Sequence, residues 1–485
     1  MNSLAAPEKL DIISVSPTLS GGAARKGPSM TAKSPEHLSK KVLVGYAMGS
    51  IGTGIFNTVP SILLLFYMTD ILGLRPIMAA AAVVVPKVLA VFTDPLMGAL
   101  SDRTRSPWGR RSPWLLAGAI LLSLSFVFLF RAPAFPDPMA RFAWVLCIYA
   151  ISATSYSVFA VPYVAMPAEM SDDPNERTRI MSWRMCFVVA GVLIGAAGAP
   201  AVVQALGSGA KGYGGMSLLL GAITGFAMLT AFFASRSVRQ TAAQNGTPGF
   251  RAEAAKAIGD PILRHLTAAF IIQVVATSIS GAAMPYVATH LLGKNAGFMG
   301  GLYLALVLTS FFCIPLWAAI SARIGKRRAF VIGALISAGT AMSLVFVHPG
   351  YPSWLLIAQF VVSGFGFSGL QVLPFAMLTD VIQHDALMRE GRREGLYTGL
   401  WTATEKVGLA LGPLVTACAL ALGGYVGGAG QAEPSAALAA ILVSVSVVPA
   451  ALFALSALII SRYPLTESRL AEIRNANLED SLKPA

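Results

Sequence analysis

Asp94-Pro95-Leu96-Met97-Gly98-Ala99-Leu100-Ser101-Asp102-Arg103-Thr104-Arg105-Ser106-Pro107-Trp108-Gly109-Arg110-Arg111 runs from an apolar helix end into a basic loop that carries one acid inside its cluster of arginines. Residues 76–101 before the loop and 112–131 after it are almost wholly apolar. About 20 apolar residues are needed to cross a hydrocarbon core of about 30 Å, because a helix rises about 1.5 Å per residue. The stretch therefore reads as a short polar turn between two bilayer spans. Gly98 lets neighbouring helices approach closely. Gly109 permits a tight turn, and Asp102 is able to pair with Arg103, Arg105, Arg110 or Arg111.

The same pattern continues in both directions. The chain of 485 residues is 55% hydrophobic and only 12% charged, with a mean hydropathy of +0.67, which excludes a soluble multidomain protein. Twelve spans are expected, at 42–69, 76–101, 112–131, 141–169, 181–206, 213–235, 263–290, 297–320, 328–346, 353–383, 396–423 and 435–462. The net charge of +13 is gathered into clusters before the first span and after the even-numbered ones. The positive-inside rule then puts both termini in the cytoplasm, so the charge sets topology and implies no nucleic-acid partner. Cys147, Cys186, Cys313 and Cys418 all lie inside spans, without metal-like spacing, so no metal site is expected.

Two segments recur about 210 residues apart, which marks a duplicated unit. Trp108-Gly109-Arg110-Arg111, followed by Gly118-Ala119, matches Ile324-Gly325-Lys326-Arg327, followed by Gly333-Ala334. Val161-Pro162-Tyr163-Val164-Ala165-Met166 with Glu169 matches Leu373-Pro374-Phe375-Ala376-Met377 with Asp380. Parallel six-helix repeats with a cavity between them build the major facilitator fold, so the fold class is an all-α membrane protein of two such bundles. The expected divisions are a disordered cytoplasmic tail at 1–39, bundles at 40–235 and 263–462, a linker at 236–262 and a second tail at 463–485.

Segment 94–114 resembles the corresponding loop of the glycoside–pentoside–hexuronide:cation symporters. So do Asp380-Val381-Ile382-Gln383-His384-Asp385, Gly391-Arg392-Arg393-Glu394-Gly395-Leu396-Tyr397, Lys406-Val407-Gly408-Leu409-Ala410-Leu411-Gly412 and Tyr67-Met68-Thr69-Asp70. The resemblance covers essentially 42–462. It implies a major facilitator fold and solute transport coupled to a cation, usually with a sugar or glycoside as substrate.

Charges inside a span are costly and mark candidate sites. Asp94 and Lys406 match the family's cation-site carboxylate and central lysine, and a carboxylate–lysine pair that a cation or proton breaks is a coupling device. Lys87 lies two turns before Asp94 on the same helix face and is read as joining this group or as pairing with Asp94. Glu405 is turned about 100° from Lys406 and faces either the cavity or a neighbouring helix. Ser157 offers an oxygen where the family has a threonine. Three expected carboxylates are missing. The sugar-binding aspartates of spans one and four fall on Gly54 and Ala160, the second cation-site aspartate on Ala90, and a tryptophan on Val164. Loss of that second carboxylate turns the choice between H⁺ and Na⁺ toward H⁺.

Arg184 matches a sugar-site arginine, and Asn57, Tyr163, Gln273, Gln359, Gln371, Tyr397 and Trp401 are further candidates for substrate contact by stacking or hydrogen bonding. His290 and His384 read as solvated positions near span ends. Asp102, Arg103, Arg105, Gly109, Arg110, Arg111, Glu169, Asp380, Arg392 and Arg393 form the expected gate, because topology alone needs no acid within the basic cluster. The function expected is symport of a sugar, glycoside or related small organic solute by a monomer in the cytoplasmic (inner) membrane, without a cofactor. Transport of a lysolipid or other amphipathic compound is the alternative, and a non-transporting membrane sensor is a third reading. Neither a nucleophile–base constellation nor a phosphate-binding glycine loop occurs, so no enzyme is expected.

Overall fold

The structure is a computed structural model that describes residues 38–171, 173–236, 259–388, 394–427 and 433–465, together with 467, 469, 470, 472, 473 and 475. Nearly all of the expected N-terminal tail, most of the linker and both Arg392 and Arg393 lie outside the described residues. Twelve described helices are long and apolar enough to cross a membrane. They are α1 (Lys40–Leu64), α2 (Pro76–Arg103), α3 (Ser112–Leu129), α4 (Pro138–Ala165), α5 (Glu176–Ala205), α6 (Gly209–Arg236), α7 (Pro261–Leu291), α8 (Ala296–Ile324), α9 (Lys326–Phe346), α10 (Ser353–Met388), α11 (Leu396–Leu422) and α12 (Ser435–Ser461).

Several starts are fixed by side-chain caps, which satisfy amide groups that the first turn leaves orphaned. The Asp137 carboxylate accepts the Met139 amide at 3.1 Å, Asp260 accepts Ile262 at 2.8 Å and Asn295 accepts Phe298 at 3.1 Å. The fourth span ends earlier than expected, at Ala165, and Pro167–Met170 forms a separate turn. The tenth runs one turn further than expected, to Met388.

The packing repeats between the halves. In the first half α1 packs on α5 and α6, α2 on α4, and α3 on α4 and α6. In the second α7 packs on α11 and α12, α8 on α10, and α9 on α10 and α12. Between the halves α2 meets α11 and α5 meets α8, a pair of contacts that exchange when the halves are superposed. The fold is thus two parallel six-helix bundles around a central seam.

Prolines inside the spans of the second half shape its packing and, at one point, the seam. A proline has no amide hydrogen, so the carbonyl four residues earlier loses its helical partner. Three such carbonyls are claimed by side chains from other helices. Gly281 O, freed by Pro285, accepts the Tyr303 hydroxyl at 3.2 Å, and Leu370 O, freed by Pro374, accepts Gln273 Nε2 at 2.9 Å. Leu409 O, freed by Pro413, accepts both Lys87 Nζ at 2.8 Å and Ser278 Oγ at 3.1 Å.

Candidate functional site

Asp94 on α2 is held from both halves. Ser157 on α4 donates to Asp94 Oδ1 at 2.5 Å, and the Lys406 ammonium on α11 pairs with Asp94 Oδ2. Thr93 adds a 3.3 Å bond to Ser157. Both charged side chains are only about a quarter exposed (23% and 25%), so their attraction is screened much less than that of a surface pair. Each carboxylate oxygen has one of these partners, and Lys87 is not among them. Its ammonium reaches across the seam to Leu409 O, and among the described residues it makes no ion pair. The expected pairing along α2 is therefore replaced by a tie between α2 and α11. Glu405 makes no hydrogen bond or ion pair among the described residues and lines neither cavity.

Two cavities adjoin this group. A small one, of about 60 Å³, is lined by Lys87, Ala90, Tyr149, Tyr156 and Lys406, among others. A larger one, of about 310 Å³, runs from the seam into the second half. Asn57, Ser61 and Leu409 are common to both, so the small cavity beside Lys87 and Lys406 shares a wall with the large one. Asn57 donates to the Tyr156 hydroxyl at 2.9 Å.

The large cavity presents hydroxyls and amides, including Thr277, Ser280, Thr340 and Gln371, beside Met284, Phe360 and Phe367, and among the described residues its lining has no Asp, Glu, Lys, Arg or His. Gln359 also lines it. Its Nε2 is held by Ser343 Oγ at 3.1 Å and the Tyr351 hydroxyl at 3.0 Å, while its Oε1 is buried without a partner.

Other predicted contacts lie in helix packing, outside both cavities. Tyr163 is buried against Tyr46 and Ser50, with its hydroxyl 2.9 Å from Ser50 Oγ. Trp401 stacks on Phe270 at 3.8 Å between ring centroids. Tyr397 is buried, and Gln273 is occupied with Leu370 O. Arg184 is buried too, with its guanidinium 4.5 Å above the Tyr163 ring and Nε without a partner.

At the face carrying the polar loop, each acid–base bond among the described residues lies within one half. Arg110 pairs with Glu169, and Arg111 donates to Asp102 at 2.9 Å. Arg111 Nε sits 3.1 Å from Glu169 without the alignment of a hydrogen bond. In the second half Lys326 pairs with Asp380 at 2.6 Å, the counterpart of Arg110 with Glu169. Gly109 turns at φ +96°, a left-handed conformation that glycine adopts without strain. Arg103 and Arg105 are exposed and make no ion pair among the described residues. These bonds clamp the helix ends of each half; Arg392 and Arg393, the second-half arginines of the expected gate, lie outside the described residues.

The profile of the MFS/sugar transport protein family matches residues 45–467. The chain belongs to this family. Within it, the chain falls among the glycoside–pentoside–hexuronide:cation symporters, and its activity class is cation-coupled symport. It is 29% identical to the putative glycoside/cation symporter YagG of Escherichia coli K12, over 90% of this chain and 94% of that one. It is 25% identical to the sodium-dependent lysophosphatidylcholine symporter 1-A of Danio rerio, over 90% of this chain and 87% of that one. The crystal structure of the D-xylose-proton symporter superposes with a TM-score of 0.61 at 14% identity, covering 88% of this chain and 98% of the other, and has the same fold.

A prediction follows from Pro413, which leaves Leu409 O without its helical donor. Pro413→Ala restores the helical donor to Leu409 O, which then competes with Lys87 and Ser278 for its two lone pairs and weakens the Lys87 tie. A proline inside a helix costs about 3 kcal/mol relative to alanine, so the protein is expected to melt no lower than the parent. Uptake is expected to fall several-fold, because a buried ammonium without its partner is costly. Unchanged uptake would make the Lys87 tie dispensable.

Sequence reasoning missed His290. Its Nε2 lies 2.7 Å from Asp70 Oδ1, across the seam at the face away from the polar loop. Its side chain is 12% exposed, so the solvated reading is corrected. Asp70 was visible in the motif Tyr67-Met68-Thr69-Asp70, but its partner was not, since nothing local to residue 290 signals a carboxylate 220 positions away.

Proposed function

We propose that the chain is a proton-coupled symporter of a neutral, hydroxylated solute of the sugar or glycoside class, acting as a monomer in the cytoplasmic membrane with both termini inside. The observation that carries the reading is Asp94, bonded at once to Ser157 of its own half and Lys406 of the other, beside the cavity wall at Asn57. A cation bound at Asp94 must displace the Lys406 ammonium or neutralise the carboxylate. Either event loosens one half from the other, which is how binding is converted into movement. A proton does so with a single carboxylate, whereas an alkali cation favours several oxygen ligands. Ala90 supplies no second carboxylate here.

Cargo charge follows from the lining of the cavity. An ionised solute in a site with no counter-charge pays its desolvation unrelieved, and the hydroxyls and amides suit a neutral one. The aromatic and aliphatic walls at Met284, Phe360 and Phe367 support a second reading, an amphipathic compound whose apolar part lies in the second half. The arrangement of basic clusters supports the membrane orientation.

The test is uptake in proteoliposomes. Neutral glycosides, uronides and lysolipids are offered separately, each with a pH gradient or a Na⁺ gradient of equal size. Accumulation of a neutral glycoside under the pH gradient, without a Na⁺ requirement, is expected. Accumulation only with Na⁺, or only of ionised solutes, would overturn the reading of coupling ion or cargo respectively.

A further inference from the structure

Among the described residues, the hydrogen bonds that join the two halves fall into two groups. One is the Asp94, Lys406 and Lys87 set at mid-membrane. The other is at the face away from the polar loop, where the turn Tyr67–Ile71 that follows α1, the end of α7 and residues 423–427 after α11 meet. There Asp70 receives three bonds besides its own backbone: His290 Nε2 at 2.7 Å on Oδ1, and the Tyr425 hydroxyl and Thr69 Oγ1 at 2.7 and 2.8 Å on Oδ2. Tyr425 also lies 3.0 Å from His290 Nε2, and Thr69 Oγ1 lies 2.8 Å from the Tyr286 hydroxyl. Asp70 belongs to the first half, and His290, Tyr286 and Tyr425 to the second.

The surroundings are built to hold this arrangement. Glu433 accepts the amides of Val426 and Gly427, both at 3.1 Å, which fixes the loop that presents Tyr425. Gly427 turns at φ +73°, and a Cβ there would fall 2.7 Å from Thr69 O, so this residue lies directly on the turn Tyr67–Ile71. Burial, then the Asp70 carboxylate, push the Tyr425 hydroxyl well above its ordinary range, so it remains a donor. From the other neighbouring elements, Lys294 lies over the Phe298 ring, and Arg141 donates to Leu72 O and Pro136 O.

We infer that Asp70, His290 and Tyr425 are a latch that closes the solute pathway at this face, and that a proton on His290 tightens it. The closed state depends on the bonds because they are the described hydrogen bonds between halves on this side. They must part for the seam to open here. When protonated, His290 carries a positive charge against Asp70 and the bond becomes charge-assisted. When neutral, it keeps an ordinary hydrogen bond. Acid on this side therefore favours the closed form, and the effect acts apart from proton coupling at Asp94.

The test uses Ser280, which lines the cavity, replaced by cysteine in a chain whose four native cysteines are changed to serine. Vesicles of known orientation are treated with a membrane-impermeant maleimide on either face between about pH 5.5 and 8. Rates are normalised at each pH to the denatured protein. In the parent, labelling from the latch face is expected to rise with pH and labelling from the polar-loop face to fall. His290→Gln is expected to label rapidly from the latch face with no pH dependence. Tyr425→Phe removes one hydroxyl, and it should raise that rate about five- to tenfold at low pH. Exchanging the partners, with Asp70→His and His290→Asp together, should restore slow labelling. Flat labelling in the parent, or His290→Gln and Tyr425→Phe labelling like the parent, would overturn the latch. So would a rise from both faces, which is loosening rather than gating.

Discussion

Asp94→Asn is expected to abolish concentrative uptake while solute exchange across the membrane continues. The substitution keeps the shape of the side chain and leaves an oxygen for Ser157, so helix packing around α2 and α4 is preserved. What it removes is the negative charge that Lys406 faces and the site at which a proton binds. The two protonation states of the transporter then no longer differ at this position, and a ligand that has no differential affinity for two states shifts nothing between them. A gradient of one pH unit is worth 1.36 kcal/mol and sustains about tenfold accumulation of a neutral solute at one proton per solute. In the variant that ratio should collapse to one. Counterflow needs only the loaded carrier to cross, so it should persist at a reduced rate, the Lys406 ammonium being left without its partner. Both are read in the same proteoliposomes, with and without the gradient. Accumulation at the parent's level would remove Asp94 from coupling. Loss of counterflow together with accumulation, in protein that is folded by its melting profile, would make it a structural residue.

The sequence carried the fold because bilayer spans and charge clusters are local signals. Each of the twelve spans could be read from its own composition, and the Pro162 and Pro374 segments exposed the duplication. Asp94 and Lys406 were also legible, through resemblance to a family that has the same carboxylate and lysine, and Ser157 through its hydroxyl in place of the family's threonine; the structure brings all three together. What was not legible depends on direction around a helix axis. Lys87 and Asp94 share a face, yet Lys87 points across the seam because Pro413, on a different helix, leaves Leu409 O without a donor. Gln273 and Trp401 had suitable chemistry for a solute and are turned into packing instead. His290 needed a partner 220 residues away, which only the tertiary structure supplies.

The same distinction between composition and direction gives the other large effect, at two of the positions where the family's carboxylates are missing. Gly54 and Ala90 look alike in sequence, as small residues in place of aspartates, but the structure makes them opposites. Gly54 sits where α1 crosses α5 backbone to backbone. A Cβ there would lie 2.7 Å from Val188 O and 3.0 Å from Gly191 Cα, and the matching Cβ at Gly191 would collide with Ile51 O. Close approach of this kind is what glycine provides between membrane helices. Gly54→Asp must therefore force α1 and α5 apart and bury a carboxylate against carbonyl oxygens. Overpacking alone costs about 1–3 kcal/mol, and a buried unpaired charge adds several more unless it neutralises. The expected result is loss of monodisperse protein or a large drop in melting midpoint, not a recovered sugar site. Ala90 by contrast lines the small cavity beside Lys87 and Lys406, where a new carboxylate finds both room and counter-charge. Ala90→Asp should fold like the parent, and with two carboxylates near one another it should gain a Na⁺ requirement for part of its uptake. Stable Gly54→Asp protein would mean that the α1–α5 crossing is looser than its glycines imply. An Ala90→Asp variant indifferent to Na⁺ would mean that the lysines, not the missing carboxylate, exclude the ion.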